Sequence, residues 1–91
     1  MNVIYKYPLM TADEQRVDMP RGAHILSVDV QRGVYCLWAL VDPQAEKEQR
    51  TFAIIGTGHP IADAARLDYI GSAQLGEALI FHVFEKLGAT G

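Results

Sequence analysis

Eight consecutive residues from Val34 to Val41 (Val-Tyr-Cys-Leu-Trp-Ala-Leu-Val) carry no charge and stand between Gly33 and Asp42-Pro43. Laid out at period two, Val34, Cys36, Trp38 and Leu40 fall on one side and Tyr35, Leu37, Ala39 and Val41 on the other, so neither side suits water. Periodicity alone leaves a helix open for so short an apolar run. The flanking Gly33 and Pro43 and the β-branched and aromatic content select a strand. A strand apolar on both faces is a covered strand, and this one is expected at the centre of a β-rich domain.

The remaining segments read as further short strands. Val3, Tyr5 and Tyr7 alternate with Asn2, Ile4 and Lys6 in an opening strand near an edge, ended by Pro8, which has no N–H for a ladder. Thr11 to Glu14 is a turn, and Gln15, Val17 and Met19 alternate with Arg16 and Asp18 before Pro20-Arg21-Gly22 reverses the chain. His24 to Gln31 alternates cleanly, and Arg32-Gly33 joins it to the central strand as a tight antiparallel hairpin. Asp42 to Gln49 reads as a charged loop with at most one helical turn, and Arg50 to Ile55 as a strand broken by Gly56-Thr57-Gly58-His59-Pro60. Ile61 to Asp68 connects to two last runs, Tyr69 to Leu75 and Ala78 to Glu85, which are parted by Gly76-Glu77 at hairpin spacing. The sum is roughly seven short strands without a long helix, an all-β pattern that suits a small antiparallel sandwich or a partly open barrel.

At 91 residues and 49% hydrophobic content the chain is expected to form a single domain over residues 1–87, with 88–91 as a flexible tail. No apolar segment approaches the roughly 20 residues that span a bilayer, and the first residues lack the order of a signal peptide. A soluble intracellular protein with no membrane association is the expectation. Cys36 is the only cysteine and reads as a buried apolar residue, with no disulfide to make. The net charge is −3 and the eight basic residues are scattered singly, so a phosphate-neutralising surface for nucleic acid is not expected. Most of the aromatic residues alternate into the core, and Arg and Lys do not interleave with them as a stacking platform requires.

Gly56-Thr57-Gly58-His59-Pro60 is the most suggestive loop, because paired glycines let a backbone approach a ligand and aim N–H groups at an anion. It lacks the lysine of a P-loop and the spacing of a dinucleotide fingerprint, and a strand exit that needs glycine dihedrals explains it as well. As a ligand site it would use Gly56, Thr57, Gly58 and His59, with Arg32 or Arg50 supplying charge. His24, His59 and His82 have no metal-ligand spacing, so no metal and no cofactor are expected. Cys36 lies mid-strand, and Ser27 and Ser72 lack a glycine elbow, so nucleophilic catalysis has no support. Asp29, Asp42, Asp63, Asp68 and Glu85 would do acid–base chemistry only if the fold brought them together.

Ile4 to Leu9, Met19 to Val28, Cys36 to Pro43, Gly56 to Pro60 and Phe81 to Glu85 together resemble a family of short proteins of unknown function encoded by bacteriophages and prophages. The similarity runs to about Glu85 and brings no catalytic or ligand residues with it. It implies a phage accessory protein in the host cytoplasm that binds a host or phage protein, a component of bacterial defence among them, and is not an enzyme. The alternative is a protein that sequesters an anionic nucleotide at Gly56 to His59. With two strands apolar on both faces and no helical layer to cover them, a homodimer is also expected, anchored by Tyr35, Leu37, Leu79 and Phe81.

Overall fold

The computed structural model describes residues 1–76 and 79–87, Leu79 by its backbone alone. Among these, seven strands form two open antiparallel sheets: β1 (Val3–Pro8), β2 (Glu14–Pro20), β3 (His24–Gln31), β4 (Val34–Val41), β5 (Lys47–Gly56), β6 (Leu67–Leu75) and β7 (Leu79–Lys86). The three-stranded sheet has the order β1-β4-β3 and the four-stranded sheet the order β2-β5-β7-β6. The fold is therefore an open sandwich and not a closed barrel. The expected centre is the centre of its sheet, because β4 pairs with β1 on one side and β3 on the other.

Hairpin chemistry sets the β3–β4 register. Arg32 and Gly33 both have positive φ, 53° and 77°, the requirement of a two-residue type I′ turn whose twist matches that of the flanking strands. Gln31 and Val34 close that turn as a register pair. Lys47 to Gln49, read in sequence as part of a charged loop, already belong to β5. They carry no apolar alternation, yet they pair with β2 through the register Asp18 to Gln49, Met19 to Glu48 and Pro20 to Lys47. Leu67 and Asp68 likewise open β6 directly after a single 3-10 turn at Ala64–Arg66. The Gly76-Glu77 link and the tail at 88–91 fall wholly or partly outside the described residues.

The core lies between the sheets. Tyr35, Leu37, Ala39 and Val41, one face of β4, meet Met19 from β2, Phe52 and Ile54 from β5, Ala73 from β6 and Val83 from β7. Across this interior the rings of Tyr35 and Phe81 meet edge to face, with centroids 5.8 Å apart. The sheets approach most closely along β3 and β6, where β6 carries a bulge between Tyr69 and Gly71. A β-carbon added at Gly71 would stand 3.0 Å from Cγ1 of Val28. The missing side chain is what lets β3 come this near.

The other face of β4 is treated unevenly. Cys36 is buried, Trp38 and Leu40 are half-buried and Val34 is exposed. Register places Ile4 opposite Leu40, Lys6 opposite Trp38 and Pro8 opposite Cys36 on β1, with Asp29 opposite Cys36 on β3. Lys6 Nζ donates to Gln31 Oε1 at 2.6 Å, a bond that reaches from β1 to β3 across the outer side of β4. In the four-stranded sheet the outward side of β7 is partly covered within the chain, since Tyr69 packs edge to face on Phe84 with centroids 5.3 Å apart.

Candidate functional site

Strands β5 and β6 both run antiparallel to β7, which lies between them, so they are parallel to each other. The chain must therefore return from Gly56 to Leu67 along the length of the sheet. Phe52 and Ile54 point into the core, which leaves Ala53 and Ile55 on the outward side by alternation. Between that side and the returning segment lies a cleft of about 470 Å³ lined by Ala53, Ile55, Gly56, His59, Pro60, Ile61, Leu67 and Phe81, with Asp13, Glu14, Asp63 and Lys86 as its charged members. Ile61 keeps 42% of its surface exposed. The segment roofs the sheet without packing onto it.

The glycine loop forms one end of this cleft and is a closed turn. His59 N–H donates to the Gly56 carbonyl at 3.1 Å and Thr57 N–H to the Ile80 carbonyl at 3.4 Å, while Gly58 takes a φ of 87°. Thr57 Oγ1 also lies 2.8 Å from His82 Nε2. Two of the N–H groups that an anion-binding nest would aim outward are thus used inside the protein. The charges around the cleft point the same way. Asp13, Glu14 and Asp63 outnumber Lys86, whose Nζ lies 3.2 Å from Glu14 Oε1.

The two arginines expected to serve this loop do not join it. Arg50 faces the opposite end of β5, six residues and roughly 20 Å of strand from Gly56. Its Nε donates to Glu85 Oε2 at 2.6 Å, its Nη2 to Glu85 Oε1 at 2.7 Å, and its Nη1 to the Ala23 carbonyl. The bond to Glu85 holds the Arg50 pKa above its usual value, although burial works against it. Arg32 occupies the left-handed position of the β3–β4 turn and lines no part of the cleft.

A family model described as a domain of unknown function (DUF7352) matches residues 1–90. The chain belongs to the DUF7352 family. No curated protein matches it, and no solved structure does. The site of this DUF7352 domain therefore has to be read from its own residues.

Of the interface anchors, Tyr35 and Leu37 keep 1% and 0% of their surface and belong to the core. Phe81 packs against the same cluster, so these three side chains are engaged within the domain. The Leu79 side chain lies outside the described residues. On the outer side of the three-stranded sheet, β4 and the neighbouring β1 present Ile4 and Val34, which are exposed, and Trp38 and Leu40, which are half-buried.

The titratable groups are spread. Among the described residues no three His, Cys, Asp or Glu side chains form a metal-binding group. Asp29 Oδ1 accepts from Val30 N–H, and Asp42 Oδ1 accepts from Gln44 N–H. A second, smaller cleft of about 210 Å³ gathers His24, Arg50, Asp68 and Glu85, a convergence that sequence spacing concealed. Both Glu85 oxygens accept from Arg50, which ties that carboxylate to structure.

Proposed function

We propose that this DUF7352 domain is a phage accessory protein that acts in the host cytoplasm by stoichiometric, non-enzymatic binding to another protein, and that it binds through the outer face of the three-stranded sheet. The phage setting rests on the resemblance carried by segments such as Cys36 to Pro43 and Gly56 to Pro60. The choice of surface rests on one observation: Ile4, Val34, Trp38 and Leu40 stand together on an outward face, Ile4 with 59% of its surface exposed. Lys6, His24, Ser27, Asp29 and Gln31 surround them in register. An apolar centre with a polar rim is the usual anatomy of a protein interface, and tryptophan is among the residues that most often carry its energy. A component of bacterial defence is the partner class to try first.

The experiment is affinity capture from expressing bacteria with the wild type and with Trp38→Lys, followed by reconstitution from purified components. Retention of one protein at fixed stoichiometry by the wild type and its loss with Trp38→Lys is the expected result. Failure to recover any partner, or equal recovery by both forms, overturns the reading. Light scattering on the purified wild type separates the competing occupancy of this face by a second copy. A dimer that becomes 10.1 kDa with Trp38→Lys assigns the face to self-association.

A further inference from the structure

The cleft beneath the β5–β6 crossover has the dimensions of a ligand site and the wrong charge for a nucleotide. Its volume of about 470 Å³ lies within the roughly 300–1,000 Å³ of small-molecule pockets, which combine an apolar lining with a few placed polar groups. Here Ile55, Ile61 and Leu67 supply apolar lining, and Asp13 and Asp63 have side chains with no bonding partner among the described residues. The remaining carboxylate, Glu14, and the cleft's lysine, Lys86, bind each other. What is left over is negative charge beside an apolar floor. Carboxylates alone would not define a site; the half-open apolar cleft makes one, and the exposed carboxylates at its rim decide what enters it.

We propose that this cleft binds a small molecule with an apolar body and one terminal positive charge, a primary amine or a guanidine. The apolar body lies along Ile55, Ile61 and Leu67, and the cation takes the rim between Asp13 and Asp63. An anion of the same shape meets two uncompensated carboxylates, while the Thr57 and His59 N–H groups that would greet it are already bonded to Ile80 and Gly56.

Three probes of matched shape test this in the intact protein by two-dimensional NMR titration: 3-phenylpropylamine, 3-phenyl-1-propanol and 3-phenylpropionate. The amine is expected to shift the amides of Ile55, His59 and Ile61 saturably. It should bind about tenfold more tightly than the alcohol at low ionic strength, the carboxylate being weaker still. Asp13→Asn with Asp63→Asn should bring amine and alcohol within twofold of each other, as should 0.5 M salt. Both substitutions keep shape, and asparagine is at home at the φ of 53° found at Asp63, so the variant spectrum reports a folded protein. Equal binding of amine and alcohol to the wild type, preference for the carboxylate, or no saturable shift overturns the proposal. An N-acetyl arginyl-phenylalanine amide that binds tenfold more tightly than the amine overturns its small-molecule form and assigns the cleft to a peptide.

Discussion

Val28 of β3 fills the space that a side chain on Gly71 of β6 would need, its Cγ1 standing 3.0 Å from the position of that missing β-carbon. This contact lies on the seam where β3 and β6 bring the two sheets together. Gly71→Ala gains from reduced backbone freedom, by about 0.5–1 kcal/mol. It loses by forcing Val28 aside, and overpacking costs about 1–3 kcal/mol. The loss wins, so Gly71→Ala should destabilise the domain by roughly 1 kcal/mol in urea unfolding. In a Val28→Ala background the obstruction is gone, and the same substitution should be neutral or stabilising. Equal effects in the two backgrounds would show that the contact does not couple the sheets.

The Arg50–Glu85 pair closes the opposite end of the interior, with side chains only 17% and 14% exposed. Arg50→Met leaves the Glu85 carboxylate and the Ala23 carbonyl without their donors and should cost about 2–3 kcal/mol. That is less than for fully enclosed pairs, since both groups keep some contact with solvent. Arg50→Met combined with Glu85→Met should recover most of the loss. Urea midpoints of the four proteins in the cycle provide the check.

The Tyr35 hydroxyl is buried with no hydrogen-bond partner among the described residues. Tyr35→Phe removes that unsatisfied group and should stabilise the fold by about 1 kcal/mol at neutral pH, visible as a rise in Tm. Burial also raises the Tyr35 pKa, and burial together with the neighbouring Tyr5 raises that of Tyr7. A phenol whose folded pKa lies above its unfolded value of about 10 keeps its stabilising effect below that pH and loses it as pH climbs through the folded value. Stability should therefore fall above about pH 10, and less steeply in Tyr35→Phe than in the wild type. Alkaline unfolding followed by tyrosinate absorbance measures both.

Arg32 holds a φ of 53° in the type I′ turn, a conformation that costs a branched-free but β-carbon-bearing residue about 1 kcal/mol and that asparagine tolerates better. Arg32→Asn creates the Asn-Gly pair favoured in such turns and should raise the urea midpoint by the equivalent of about 0.5 kcal/mol. Unchanged or lowered stability would mean that the arginine makes a compensating contact.

The bounds of β3 and β4 were legible to the residue, because both runs end at a two-residue turn. The even alternation expected of β3 is broken, however, by a bulge between Ile25 and Ser27 that turns Ile25 to the core beside Val28 and Val30 and leaves Leu26 exposed. Lys47 to Gln49 were not legible as strand, since backbone pairing to β2 holds them extended and leaves no apolar imprint on the sequence. Gly56 and His59, singled out by the glycine pattern, line the cleft, yet its charge depends on Asp13, some forty residues earlier, and the loop's N–H groups are captured by carbonyls that no local spacing announces. Tyr35 and Leu37 are core residues that suit the role of interface anchors in sequence alone, because both sides of the β4 run look alike. Only the packing of the second sheet against one side distinguishes them.

Strand β7 occupies the gap between β5 and β6 although it follows both in the chain. During synthesis, β5 and β6 are therefore made before the strand that joins them, and each must wait with an open ladder on the side it will share. Phe52 and Ile54 cannot be sealed until Val83 arrives, so the four-stranded sheet is completed only after residues 79–86 have left the ribosome. Until then the nascent chain presents unpaired strand edges, the form in which β-proteins most readily aggregate, and any truncation ahead of β7 should leave it there.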